Sequence, residues 1–302
     1  MLNPGVYPAA VTPMTPDGAV DLPAVARLLA WFEASGCAGA VVAGTNGEGP
    51  SLSTYEKRDL IRAAVASAGK LSILLGVATS SLEEAVWLCE QARKAGAAAA
   101  LVMPPGYFRE ATEEGIGQWF SALIERTALP IVVYNFPQRT GIELSAALLG
   151  RLAKHERMAG VKDSSGKAEN LAAYRAALAD GKCLFVGNET LLWDALEAGW
   201  SGTISGVANV VPRWMSQIVA EFMGGARSVV PARESAQTKF ALALPVVKAL
   251  RAEPQPATNK ALLESLGLLP CGAVRLPLLS ADPSRIKGLR SQIEERVGVP
   301  TP

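Results

Sequence analysis

The sequence predicts an α/β protein, a (β/α)8 TIM barrel with a C-terminal helical extension. Three observations lead there. Eight short apolar runs alternate with amphipathic segments. The runs lack strict polar–apolar alternation, as expected of parallel strands that are covered on both faces. No run is followed by G-x-G-x-x-G and no G-x-x-x-x-G-K-[ST] occurs, so the marks of the competing open, doubly wound sheet are missing. A length of 302 residues accommodates one such barrel.

The elements follow in order. The first strand is GVYPAAVT (5–12). LPAVARLLAWFEAS, an amphipathic helix, follows Asp21 and stops at Gly36. AGAVVAG (38–44) is the second strand. A polar turn then leads to Ser53-Thr54-Tyr55-Glu56, a capping box in which serine and glutamate satisfy each other's backbone N–H groups. SILLGVA (72–78) is third, and Ser80-Ser81-Leu82-Glu83 fits a second capping box. Gly96 closes that helix before AAALVMP (98–104), the fourth strand. PIVVYN (130–135), MAGVKD (158–163), CLFVGN (183–188) and GTISGV (202–207) complete the set, with Gly199 just past the helix before the last. From about residue 225 the strand signals fade, and ESAQTKFALALPVVKALRA and PATNKALLESLG read as helices alone. The expected domains are 1–224, the barrel, and 225–302, the helical extension.

Composition narrows the function. Hydrophobic residues make up 49% and charged residues 19%, enough for a large core. A net charge of +1, without a run of like charge, gives no electrostatic footprint for nucleic acid or an anionic membrane. The N-terminus, MLNPGVYPAAVTPMTPDG, lacks a basic region and is broken by prolines, unlike a signal peptide. No apolar stretch reaches the ~20 residues of a membrane span. The four scattered cysteines form no C-x-x-C pair and suit a reduced, cytoplasmic protein. The single histidine, His155 in LAKHERM, reads as a surface residue at the polar end of a helix. Triads, Cys-His dyads and multi-histidine zinc sites all need imidazole and are thereby excluded. Glu48, Asp163 and Glu189 are isolated carboxylates, so no metal is expected in the chemistry. Catalysis must rest on Lys, Tyr, Thr or Ser, Asp or Glu, or backbone groups.

In a barrel the reactive groups stand at the C-terminal ends of the strands. The second strand ends in Gly44-Thr45-Asn46-Gly47-Glu48, either an ordinary βα turn or one that aims backbone N–H groups at an anion such as a carboxylate. The fourth leads to MPPGYFRE, where Tyr107 either packs or serves the site. The fifth ends in VVYNFPQRTG, with Tyr134 at the barrel mouth. Arg139 there can hold a carboxylate through its fork of donors, or form a surface salt bridge. The sixth ends in AGVKDSSG, a cation where an apolar strand stops. An apolar collar disfavours the ammonium form of Lys162, and a neutral amine can attack a carbonyl to form a Schiff base. The alternative is a structural ion pair with Asp163. Gly187 ends the seventh strand, Ile204 and Ser205 the eighth, and all three leave room for a ligand.

GTNGE, YNFPQRTG and GVKDSSG, in this order, resemble the signatures of the dihydrodipicolinate synthase and N-acetylneuraminate lyase family. Its members are class I, pyruvate-dependent aldolases on a barrel with a helical extension, and the resemblance spans essentially the whole chain. It implies that Lys162 forms the Schiff base with pyruvate, with no separate cofactor. It further implies that Tyr134 is the general acid/base and that Thr45 relays protons and holds the pyruvate carboxylate. Tyr107 completes the relay from a neighbouring subunit, and Arg139 takes the carboxylate of aspartate semialdehyde. A homodimer or homotetramer follows from the same likeness.

With Arg139, which aldolases acting on sugar acids often lack, the chain most resembles the synthase branch, which condenses pyruvate with aspartate semialdehyde to give 4-hydroxy-tetrahydrodipicolinate. Cleavage of 4-hydroxy-2-oxoglutarate or of 2-oxo-3-deoxy sugar acids is the alternative, and a 2-oxo acid binding barrel without turnover is a third. Asn46 stands where synthases usually carry a second threonine; it still offers a donor for carboxylate binding, and also resembles the hydroxy-oxoglutarate aldolases. Gly106 replaces an aromatic of many synthases, and SLSTYEKRDL contains no histidine, so feedback inhibition by lysine is not expected.

Overall fold

The computed structural model describes residues 2–225 and 230–298. Eight parallel strands run in the order β1-β8-β7-β6-β5-β4-β3-β2. They are β1 (Gly5–Pro8), β2 (Gly39–Val42), β3 (Ser72–Val77), β4 (Ala99–Val102), β5 (Ile131–Asn135), β6 (Met158–Asp163), β7 (Cys183–Val186) and β8 (Gly202–Ser205). The ring closes between β1 and β2, where Ala38 N donates to Val6 O and Ala10 N to Val41 O, both at 2.9 Å. Each strand coincides with one of the apolar runs read from the sequence.

Helices alternate with the strands: α1 (Leu22–Ala34), α2 (Thr54–Ala66), α3 (Leu82–Ala95), α4 (Glu113–Arg126), the one-turn α5 (Pro137–Thr140), α6 (Ala146–Leu152), α7 (Glu169–Ala177), α8 (Leu192–Glu197) and α9 (Pro212–Gly225). After them come α10 (Val230–Arg251), α11 (Gln255–Ser265) and α12 (Pro283–Val297), with no further strand among the described residues. None of these helices is long and apolar enough to cross a membrane.

Local signals act largely as written. Asp21 caps α1 by accepting from Ala24 N at 3.1 Å. Ser53 and Glu56 form the reciprocal capping box of α2, at 3.2 and 2.8 Å. The cap of α3 lies one residue later than the sequence suggested: Ser81, not Ser80, accepts from Glu84 N. The Glu84 carboxylate reaches the Thr79 hydroxyl, and no reciprocal box forms. Ser80 Oγ instead accepts from the backbone of Tyr107 at 3.2 Å.

Two apolar layers hold the barrel. One lies between strands and helices and includes Leu28, Ile61, Leu88, Phe120, Leu149 and Leu196. The other fills the interior with Tyr7, Val41, Leu74, Val132, Phe185 and Ile204. Tyr7 and Phe185 meet edge to face at 5.1 Å, and the Tyr7 hydroxyl donates to Asn3 O at 2.9 Å. Burial pushes that phenol up to about 12, so it stays a donor. His155 sits half-buried in the turn before β6, at the end of that strand opposite Lys162.

Candidate active site

The register of β5 and β6 decides which groups meet. Tyr134 pairs with Lys162, and Asn135 with Asp163. Successive side chains of a strand point to opposite faces. Tyr134 and Lys162 therefore enter the barrel mouth together, while Asn135 and Asp163 face the helices. Lys162 is 5% exposed and Tyr134 4%. The Lys162 ammonium nitrogen lies 4.1 Å from the centre of the Tyr134 ring. Ser164 Oγ donates to the Tyr134 hydroxyl at 3.2 Å.

The ion pair between Lys162 and Asp163, the structural alternative in the sequence, does not form. Asp163 is saturated on the far side of the strand, accepting from Asn135 Nδ2 at 2.8 Å, Ser165 N at 3.1 Å and Ser165 Oγ at 2.7 Å. Asn135 extends this network: its Oδ1 accepts from Leu144 N at 3.1 Å, and its Nδ2 also reaches the Tyr174 hydroxyl at 3.1 Å. Burial raises the Tyr174 pKa, and the phenol donates to Leu144 O at 2.5 Å. These bonds tie β5 to β6 one residue beyond the Tyr134–Lys162 pair. Among the described residues no carboxylate pairs with Lys162, which leaves a buried amine without a counter-ion. Such a group is costly to bury and is usually kept for a reason other than stability.

A cleft of about 720 Å³ opens above this pair, lined by Thr45, Asn46, Tyr134, Arg139, Lys162 and Gly187 among others. Gly187 is required by space. A Cβ there would lie 1.9 Å from Ser164 Oγ and 2.8 Å from Lys162 Cε. Ile204, fully buried, forms part of the floor. Arg139 is exposed, its guanidinium 6.0 Å from the centre of the Phe136 ring. It has no carboxylate partner among the described residues, so the surface salt bridge is not realised.

Two of the residues singled out in the sequence stand apart. Ser205 follows the inward-facing Ile204 and so points outward. Its hydroxyl donates to Glu189 Oε1 at 2.7 Å and accepts from Ala208 N at 3.0 Å. Tyr107 is 80% exposed in the loop after β4, edge to face with Phe108 at 5.1 Å. It is not among the cleft residues of its own chain.

The helices after the barrel supply what the strand ends did not reveal. Arg251, at the end of α10, donates to Gly187 O at 3.2 Å and to Glu189 Oε2 at 2.5 Å. Gln255 and Asn259 of α11 bond the side chain of Asn46. Lys260 forms an ion pair with Glu48, and both side chains are 0% exposed. Burial lowers the Lys260 pKa, opposed by its hydrogen bond to Glu48. Glu48 also accepts from Arg275 N at 2.8 Å, and Lys260 donates to Ala273 O at 2.7 Å. No local pattern in the sequence announces these contacts, because each joins a barrel loop to a helix distant along the chain.

The chain matches the model of the dihydrodipicolinate synthetase family over residues 3–296. It belongs to that family. A 4-hydroxy-tetrahydrodipicolinate synthase of Thiobacillus denitrificans is 37% identical over 276 residues, covering 91% of this chain and 90% of that protein. The dihydrodipicolinate synthase of Thermotoga maritima superposes with a TM-score of 0.91 at 30% identity, covering 99% of this chain and 100% of that one. The chloride-inhibited synthase of Acinetobacter baumannii, solved in complex with pyruvate, gives 0.90 at 30% identity with the same coverage. Family membership makes the chain a pyruvate-dependent lyase of the class I type.

Proposed function

We propose that the chain condenses pyruvate with aspartate semialdehyde, the 4-hydroxy-tetrahydrodipicolinate synthase reaction, through a Schiff base on Lys162. The observation that carries this reading is the Lys162 amine, buried, 4.1 Å from the Tyr134 ring centre and without a counter-ion among the described residues. Attack of the amine on the pyruvate carbonyl carbon releases its oxygen as water and leaves an iminium. That electron sink acidifies the methyl group. Loss of a methyl proton gives an enamine, whose carbon attacks the aldehyde carbon while the aldehyde oxygen takes up a proton. Tyr134 and Thr45 are assigned to carry these protons, a reading supported by their both lining the cleft. Asn46 adds an amide donor toward the pyruvate carboxylate. The solved pyruvate complex of the Acinetobacter baumannii relative supports the first substrate, and the relatives' names support the second.

Arg139 is assigned to the carboxylate of the aldehyde. Arg139→Ala is expected to raise the KM for aspartate semialdehyde roughly 10- to 100-fold, the scale of a lost charge-assisted hydrogen bond, and to leave the KM for pyruvate near its original value. Steady-state kinetics with each substrate varied in turn checks this. A wild type without condensing activity, or an unaffected Arg139→Ala, contradicts the synthase reading.

Self-association belongs to the same proposal. Tyr107 and Phe108 are 80% and 59% exposed, which supports the reading that Tyr107 serves the relay of a neighbouring subunit. Sedimentation is expected to show a dimer or tetramer that Tyr107→Ala weakens; a wild-type monomer removes this role. The four free cysteines suit a reducing cytoplasm.

A further inference from the structure

The polarity of the cleft mouth is fixed by a chain of amides that starts at a backbone carbonyl. Gly206 O can only accept. Asn259 Nδ2 lies 3.0 Å from Gly206 O and 3.0 Å from Asn46 Oδ1, and donates one hydrogen to each. A flipped Asn259 amide would set its oxygen against the Gly206 carbonyl, so the orientation is determined by the network. It has a cost, because Asn259 Oδ1 is buried without a partner among the described residues. Asn46, its oxygen taken, must present Nδ2, which donates to Gln255 Oε1 at 3.3 Å. Gln255 is then left with its amide nitrogen. No group among the described residues accepts from that nitrogen, and Gln255 lines the same cleft as Lys162 and Arg139.

Two other charges at the mouth are paired. Arg251 is held by Glu189 and by Gly187 O. Glu253 accepts from Arg285 at 2.6 Å. Among the described residues the Arg139 guanidinium has no carboxylate partner and the Gln255 amide N–H groups have no acceptor, a cation and a neutral donor open toward a ligand beside the second Asn46 N–H and the remaining Arg251 N–H groups. Both ask for an acceptor-rich, anionic group. A substrate that ends in an alkyl chain would leave both unpaired, which such a site penalises strongly.

We propose that Gln255, carried by the extension and oriented by the Gly206–Asn259–Asn46 chain, determines specificity by donating to the distal carboxylate of the aldehyde substrate. The proposal rests on the reading that Lys162 binds pyruvate on the floor of this cleft. It adds that the discrimination between aldehydes is built in part by α11.

Gln255→Glu tests it selectively. Glutamate has the same length and keeps an oxygen to accept from Asn46, so the amide chain persists, while the donor facing the cleft becomes a carboxylate oxygen. Steady-state kinetics of the full-length protein would use pyruvate with aspartate semialdehyde, with succinic semialdehyde (distal carboxylate, no amine) and with butanal (no polar end). The KM for both carboxylate-ended aldehydes is expected to rise roughly 10- to 100-fold, from loss of a hydrogen bond to a charged group and added repulsion. The KM for pyruvate, the rate of borohydride trapping with pyruvate and the butanal reaction should stay within about twofold, since none of them uses the lost donor. Gln255→Leu, which adds no charge, should raise the same KM values about tenfold. Unchanged KM values for the carboxylate-ended aldehydes in Gln255→Glu, or an equal loss with butanal, overturns the role of Gln255 while leaving the Schiff-base reading intact. Absence of trapping in the wild type overturns that reading itself, and the assignment of Gln255 with it.

Discussion

Lys162→Ala is expected to lower kcat by on the order of 10⁶-fold, the scale at which a covalent nucleophile is lost. No neighbouring group can replace it. Asp163 is turned to the other face of β6 and saturated by Asn135 and Ser165. The same change should leave the melting temperature equal or higher, because the wild type buries an amine for which no counter-ion exists among the described residues. Tyr134→Phe keeps the ring beside Lys162 and removes only the phenol, with an expected loss of ~10²–10⁴-fold. Kinetics and thermal melts of the two variants check this together. A Lys162→Ala protein that keeps measurable condensation, or that unfolds well below the wild type, contradicts a catalytic amine and favours a structural one.

The second large effect is on stability. Lys260→Ala leaves Glu48 as a fully buried carboxylate without its cation, and is expected to cost about 3–5 kcal/mol. Replacing both partners, as Glu48→Gln with Lys260→Met, should recover most of that loss, since no charge then remains buried. Denaturant unfolding of the single and double variants measures the difference. A single variant within about 1 kcal/mol of the wild type would show that the pair does not hold α11 to the loop after β2. That loop carries Thr45 and Asn46, so activity is expected to fall in the single variant as well.

These two outcomes mark where the sequence could be read and where it could not. The barrel was legible because parallel strands and capped helices leave local patterns, and the positions of Lys162 and Tyr134 at the barrel mouth were legible because they sit at strand ends. Their partnership is a matter of register: both lie inward on adjacent strands, paired residue to residue. The same rule misled at β8, where a one-residue step separates Ile204, which faces the cleft, from Ser205, which faces Glu189. The cap of α3 moved by one residue for a similar local reason, since Ser80 is engaged by the Tyr107 backbone. The contributions of Arg251, Gln255, Asn259 and Lys260 were hidden for a different reason. An amphipathic pattern says which face of a helix is buried but not which loop it meets, and these residues contact barrel groups 53 to 213 positions away. Tyr107 is exposed and outside the cleft of its own chain, so the role proposed for it needs a second chain.

The proposed reaction passes through the amine of Lys162. Incubation of the wild-type protein with pyruvate, reduction with borohydride and mass analysis of the intact chain and its peptides tests this directly. The expected result is one reduced pyruvate adduct per chain, located on the peptide containing Lys162 and absent from Lys162→Ala. No mass gain, or an adduct on another buried lysine such as Lys57 or Lys260, would contradict it.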